Sequence, residues 1–165
     1  MSTTTDNTVV TLEPNTNQAR GIADFAISFI RDGVGEPSSD VLERTTMFHT
    51  DSVLCALSAI AMGTNAPLVL RNEAMEYPCD SGATIFGCPT KVRAEKAILA
   101  NSAAAREWDS NGTNFGYNAA LGHVAGEFGH NDFYPVVIAA AEMRGDIDGK
   151  KALKAMICID EIRGR

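Results

Sequence analysis

The longest uninterrupted apolar period in this sequence decides what the chain can become. Val41, Leu42, Phe48, Val53, Leu54, Leu57, Ile60 and Ala61 recur at helical spacing until Gly63 stops them. Glu36-Pro37-Ser38-Ser39-Asp40 supplies the start: a proline, then capping side chains, with Glu43 placed to reach back. The spacing predicts one long helix beginning near Ser39. From Val53 to Met62 it is apolar nearly all round, so the expectation is a central buried helix. Ala56, Ser58, Ala59 and Ala61 would let neighbouring helices come close.

The rest of the chain supplies those neighbours. Asn17 to Asp32 places Ile22, Phe25, Ala26, Phe29 and Ile30 on one face of an amphipathic helix that Gly33 stops. Pro67 opens a short third helix, Leu68 to Met75, which ends before Pro78. Ala83-Thr84-Ile85-Phe86, between Gly82 and Gly87, reads as a short extended edge. An alanine-rich fourth helix runs from Lys91 to about Trp108, with Ala94, Ala97, Ile98, Ala104 and Ala105 on its packing side. A fifth starts near Pro135 and reaches Met143. After a turn in which Asp148 can cap, a sixth runs from Lys150 and carries Leu153, Met156, Ile157, Ile159 and Ile162. The predicted fold class is mainly all-α, with little or no β. Residues 1–16, rich in Thr and Asn, read as a flexible tail, and 17–165 as one helical domain. The last helix is still apolar and periodic when the sequence stops at Arg165, so the domain is expected to be a partial one.

Composition removes several function classes. A net charge of -7 argues against a nucleic-acid partner, which dense Lys and Arg would have to hold. No apolar run approaches the ~18 residues of a membrane span. Residues 1–21 have no apolar secretion core, and Cys55, Cys79, Cys88 and Cys158 are scattered without a CxxC pair. The expectation is a cytoplasmic protein with reduced thiols, binding neither nucleic acid nor membrane.

Between Glu107 and Pro135 the chain gathers its one Trp, two of its three Tyr and two of its three His around a glycine-broken loop flanked by helices. Asp109 follows Trp108 and precedes Ser110-Asn111-Gly112, a turn sequence in which it can act as a simple turn residue. His123 and His130, each next to a glycine, can equally be solvated loop histidines. Taken together, a carboxylate, the Thr113 hydroxyl and two imidazoles form a set able to move protons near neutral pH, and Phe115, Tyr117, Phe128 and Tyr134 could keep water out. The seven-residue spacing of His123 and His130, with no Cys nearby, does not suit a zinc site, so no metal is expected. No GxGxxG, Walker loop or Gly-x-Ser-x-Gly elbow supports nucleotide binding or serine hydrolysis.

In order along the chain, these residues resemble the 2-methylcitrate dehydratase family (MmgE/PrpD), which also contains the cis-aconitate decarboxylases. The matching pieces are Asp51 to Gly63, Ala83-Thr84-Ile85-Phe86-Gly87, Ala100-Asn101-Ser102-Ala103, Asp109 with Thr113, Glu127-Phe128-Gly129-His130, and Asp160-Glu161-Ile162-Arg163-Gly164-Arg165. The resemblance covers roughly residues 17 to 165. It implies a helical domain of MmgE/PrpD type, truncated, with the lid domain and the remainder of the helical domain absent. It also implies a metal-independent lyase without a cofactor, working as a homodimer on a small-molecule tricarboxylate. Asp109 and His130 take the catalytic acid/base or substrate-orienting roles and Thr113 a hydrogen-bonding contact; His123, from the loop composition, is a secondary substrate-contact candidate. Dehydration of 2-methylcitrate is the first reading, decarboxylation of cis-aconitate the nearest enzymatic alternative, and a catalytically silent helical association module the alternative from another class. The sequence departs from the family at Asn111 and Gly112, where further acids are common, at Asn131, where proline often follows the histidine, and in an expanded loop between Thr113 and His130.

Overall fold

A computed structural model of the chain describes residues 16–33, 35–108, 122 and 130–163. Among them the order is α1 (Gln18–Arg31), α2 (Ser39–Ala61), α3 (Asn65–Met75), β1 (Pro78–Thr84), β2 (Lys91–Val92), α4 (Ala94–Arg106), a 3-10 turn (His130–Phe133), α5 (Tyr134–Arg144) and α6 (Gly149–Arg163). The mainly helical class is as the apolar periods predict. Residues 1–15 of the expected tail lie outside the described ones.

Local chemistry sets the helix starts. The Asn17 side chain accepts from the Arg20 amide at 3.0 Å, Ser38 Oγ from Val41 at 3.4 Å, and Asp148 from Lys151 at 2.8 Å. Each satisfies a first-turn N–H that the helix itself cannot, a contribution of about 1 kcal/mol. At the other end of α2, Gly63 takes a φ of 73°, open to glycine at little cost, and the chain turns so that α2 and α3 meet at 89°.

The centre of the fold is α4, which packs against α2, α3, α5 and the hairpin. Its alanine face explains this position: Ala97, Ala100, Ala104 and Ala105 are all buried, and small side chains let backbones approach. This corrects the expectation for α2. That helix turns its small residues inward, burying Thr45, Ser52, Ala56 and Ala59, while Leu54 and Met62 remain 60% and 72% exposed. Close approach to Ala104 and Ala105 selects the small face over the larger apolar one. The inward hydroxyls are accommodated within the helix, Thr45 donating to the Val41 carbonyl at 2.9 Å and Ser52 to that of Phe48 at 2.8 Å. On α1, likewise, Phe29 alone is buried, while Ile22 and Ile30 stay exposed.

Three boundaries differ from the sequence reading. The third helix starts at Asn65 rather than at Leu68, with Pro67 inside its first turn. The extended segment begins earlier, at Pro78, and leaves Ile85 and Phe86 beyond its end. Lys91 and Val92, assigned above to the fourth helix, instead pair antiparallel with β1 across a bulge between Pro78 and Ala83. Gly82 makes this possible, since a Cβ there would overlap the Val92 carbonyl. The hairpin fills the space between α3, α4 and α5, where Ala83, Ile85 and Val92 join Ala74, Ala97, Ala100 and Ala139 in one apolar cluster. A second cluster, Tyr134, Val137, Ala152 and Met156, joins α5 to α6 under Phe48 of α2.

Candidate functional site

The end of α4 and the 3-10 turn are bound to each other. Ser102 and Arg106 stand one helical turn apart on the same face of α4. Ser102 Oγ donates to the Asp132 carbonyl at 2.7 Å, and Arg106 Nε lies 3.7 Å from Asp132 Oδ2. The chain entering residues 109–129 and the chain leaving them are thus pinned side by side. On the turn, the Arg163 guanidinium covers the Phe133 ring, 4.3 Å from its centroid. Asn131, between these contacts, is wholly buried, and neither its amide nitrogen nor its amide oxygen has a hydrogen-bond partner.

Behind the turn lies a buried titratable cluster. Tyr134, the first residue of α5, donates its hydroxyl to Asp160 Oδ2 at 2.7 Å. Burial pushes the Asp160 carboxyl up to about 6; the Tyr134 hydrogen bond pulls it back and the Glu161 charge adds to the rise. Burial, then the neighbouring Asp160 charge, holds the Tyr134 hydroxyl far above its ordinary range. From α2, the Phe48 and His49 rings meet the Tyr134 ring edge-on, with centroids 5.8 and 5.9 Å away. Burial draws the His49 imidazole below its ordinary value, and its Nδ1 has no partner. Asp160 therefore changes charge close to neutral pH, a property of groups that carry protons.

Electrostatics separates the two faces of this cluster. An open groove of about 830 Å3 between the first half of α2 and the last half of α6 is lined by Asp40, Glu43, Asp160 and Glu161 against one Arg44. Four carboxyls to one guanidinium repel a polycarboxylate. Around the 3-10 turn, Arg106 is paired with Asp132 and Arg163 lies over the Phe133 ring. Among the described residues no three His, Cys, Asp or Glu side chains converge as metal ligands.

Of the residues singled out in the sequence, Asp109, Thr113 and His123 lie outside the described residues. His130 opens the 3-10 turn, and its side chain is likewise outside them. Sequence reasoning passed over His49, Asn131, the Tyr134–Asp160 pair and the two α4 side chains that hold the turn. A signal existed for two of them. Asp160 continues the spacing of Leu153, Met156 and Ile157, so a carboxylate stands on the apolar stripe of α6. His49 falls at helical spacing with Thr45, Ser52 and Ala56, which puts it beside the inward face of α2.

Against this geometry, the profile of the MmgE/PrpD N-terminal domain matches residues 20–165. No solved structure matches the chain.

Proposed function

From the premise that the chain belongs to the MmgE/PrpD family, whose members are dehydratase- and lyase-type enzymes, we propose that it is the N-terminal portion of a metal-independent cytoplasmic lyase. Its reaction is dehydration of 2-methylcitrate or a similar tricarboxylate to the cis-aconitate-type product. A base removes the proton on the carbon next to a carboxylate, the carbon–oxygen bond breaks, and an acid delivers a proton to the departing hydroxide so that water leaves. Asp109 and His130 are the acid/base pair in this reading, with Thr113 and His123 as substrate contacts.

The observation that carries the reading is the pinning of the 3-10 turn to α4. Ser102 and Arg106 fix the turn from which His130 issues against the helix end that leads into Asp109. An acid/base pair spread over a long loop needs such a fixed frame, because misplacement by about 1 Å can cost a hundredfold in rate. Arg163, over the Phe133 ring, brings a guanidinium to the same turn.

The deciding experiment follows the ultraviolet absorbance of the unsaturated product when the full-length protein, taken to the end of its reading frame, is mixed with 2-methylcitrate. No turnover sinks the dehydratase reading, and carbon dioxide release from cis-aconitate would put decarboxylation in its place. In an active protein, His130→Ala lowers kcat by at least about a hundredfold, the usual loss for an acid/base catalyst. Near-parental activity returns His130 to a surface role.

The reading as a helical association module has its own support. Met47, Leu54 and Leu57 stand exposed along one side of α2 at three- and seven-residue intervals, with Met62 just beyond the helix end. The homodimer belongs with this face. Leu54→Glu is expected to convert a dimer to a monomer in light scattering; a parent that is already monomeric rules the association out.

A further inference from the structure

Asn131 has no satisfied hydrogen bond at either end of its carboxamide, although the side chain is wholly shut off from solvent. Native proteins rarely keep such a group, since a buried amide without partners is held against its loss of hydration. An apolar residue of similar volume would cost nothing in hydrogen bonds. The position is also one where the wider fold supplies good alternatives: Asn101 of α4, equally buried, has both ends bonded.

We propose that Asn131 is a specificity-determining residue that recognises a hydroxycarboxylate, its Nδ2 donating to a carboxylate oxygen and its Oδ1 accepting from the adjacent hydroxyl. This rests on the tricarboxylate reading of the preceding subsection and sharpens it. Three observations converge. Both amide ends are unpartnered, and a hydroxycarboxylate offers them an acceptor and a donor together, whereas a carboxylate alone offers acceptors only. The residue follows His130 directly on a turn that Ser102 and Arg106 hold against α4. Arg163, over Phe133 of the same turn, brings a guanidinium close to the position. Because the amide is closed off from water, a ligand reaches it only through a local opening, and its two hydrogen bonds form where solvent does not compete.

The consequence is selection by the hydroxyl. A site built to bond a substrate hydroxyl rejects the analogue lacking it by leaving its own polar group unpaired. Asn131 therefore favours the hydroxylated tricarboxylate over an otherwise identical acid without the hydroxyl, and so dehydration over decarboxylation of an unsaturated acid.

The test is calorimetric titration of the full-length protein, taken to the end of its reading frame, with citrate and with its deoxy analogue tricarballylate. The parent protein is expected to bind citrate at least about tenfold more tightly. In Asn131→Leu that ratio falls to within about twofold, while the melting temperature holds or rises by about 2–4 °C. Should leucine prevent folding, Asn131→Ala, which adds no bulk, is expected to show the same loss of ratio. A parent without preference, or a variant that keeps it, overturns the role of Asn131 while binding of both acids leaves the tricarboxylate reading standing. Binding of neither acid overturns both.

Discussion

Two buried asparagines divide the molecule. Asn101, in the half built from α3, the hairpin, α4 and α5, accepts from the Phe86 amide at 2.8 Å and donates to the Thr84 carbonyl at 3.0 Å. Its neighbour Glu142 takes both the Thr84 amide and hydroxyl, at 2.6 and 2.5 Å. Asn101 and Glu142 thus tie the strand end to two helices. Asn131, on the turn between α4 and α5, bonds nothing at either end of its amide, and His49 Nδ1 behind it is also unpartnered. In the first half Asn101 and Glu142 serve as ties. The second half carries polar groups that cost stability, and proteins retain such groups where a ligand or a proton is handled.

The comparison breaks most visibly if the two asparagines respond alike to the same substitution. Asn101→Leu removes two bonds and leaves an amide and a carbonyl without partners, each a cost of about 1–3 kcal/mol, so a loss of about 4 kcal/mol is expected. Asn131→Leu removes no bond and is expected to leave stability unchanged or improved. Urea unfolding of the two variants reads the difference directly, and a destabilisation of similar size in both would show that Asn131 is a structural tie after all.

A smaller effect, with a pH signature, comes from Asp160. Its carboxyl is raised from an ordinary 3.8 to about 6, so folding favours the protonated form. The stability this form contributes is fully present below pH 4 and is lost as pH rises through 6. Above that the buried charge costs on the order of 3 kcal/mol. Asp160→Asn cannot ionise, and its side-chain oxygen can still accept from Tyr134. Its stability relative to the parent should rise by roughly 3 kcal/mol between pH 4 and pH 8. Parallel curves for parent and variant across that range would mean that the Asp160 carboxyl keeps its ordinary value.

Periodicity made most of the fold legible, because α1, α2 and α5 each announce a start and a stop in their own residues, and α6 its start. What it could not rank was two competing faces of one helix. On α2 the larger apolar residues suggested burial, yet contact with the alanines of α4 rewards small side chains, so Ala56 and Ala59 went inward and Leu54 outward. Nor could it find β2, a two-residue strand defined by its partner rather than by its own pattern. For the candidate site, the sequence singled out the stretch that ends in the turn beginning at His130 from its glycine, aromatic and histidine residues. The groups that support the turn were not legible. Ser102, Arg106, Tyr134 and Asp160 come together from α4, α5 and α6, and only the packing of those helices makes them neighbours.

The smallest expected effect tests how far the costly half extends. His49 stands against Tyr134 with its pKa lowered by burial, so the folded chain resists its protonation. A group of this kind withdraws stability as pH falls below its unfolded value of about 6.5 and has no such effect at pH 8. His49→Phe keeps a ring edge-on to Tyr134 and removes both the proton site and the unpartnered Nδ1. It should therefore gain stability over the parent at pH 5.5, and less at pH 8, where only the unbonded nitrogen is at stake. Asp160 opposes this trend in the parent, since protonating it at low pH favours folding; the cleaner measurement is therefore made in the Asp160→Asn background. A gain independent of pH there would locate the cost in the missing hydrogen bond alone. A loss at both pH values would show that the imidazole is a tie, and would confine the strained part of the molecule to the 3-10 turn.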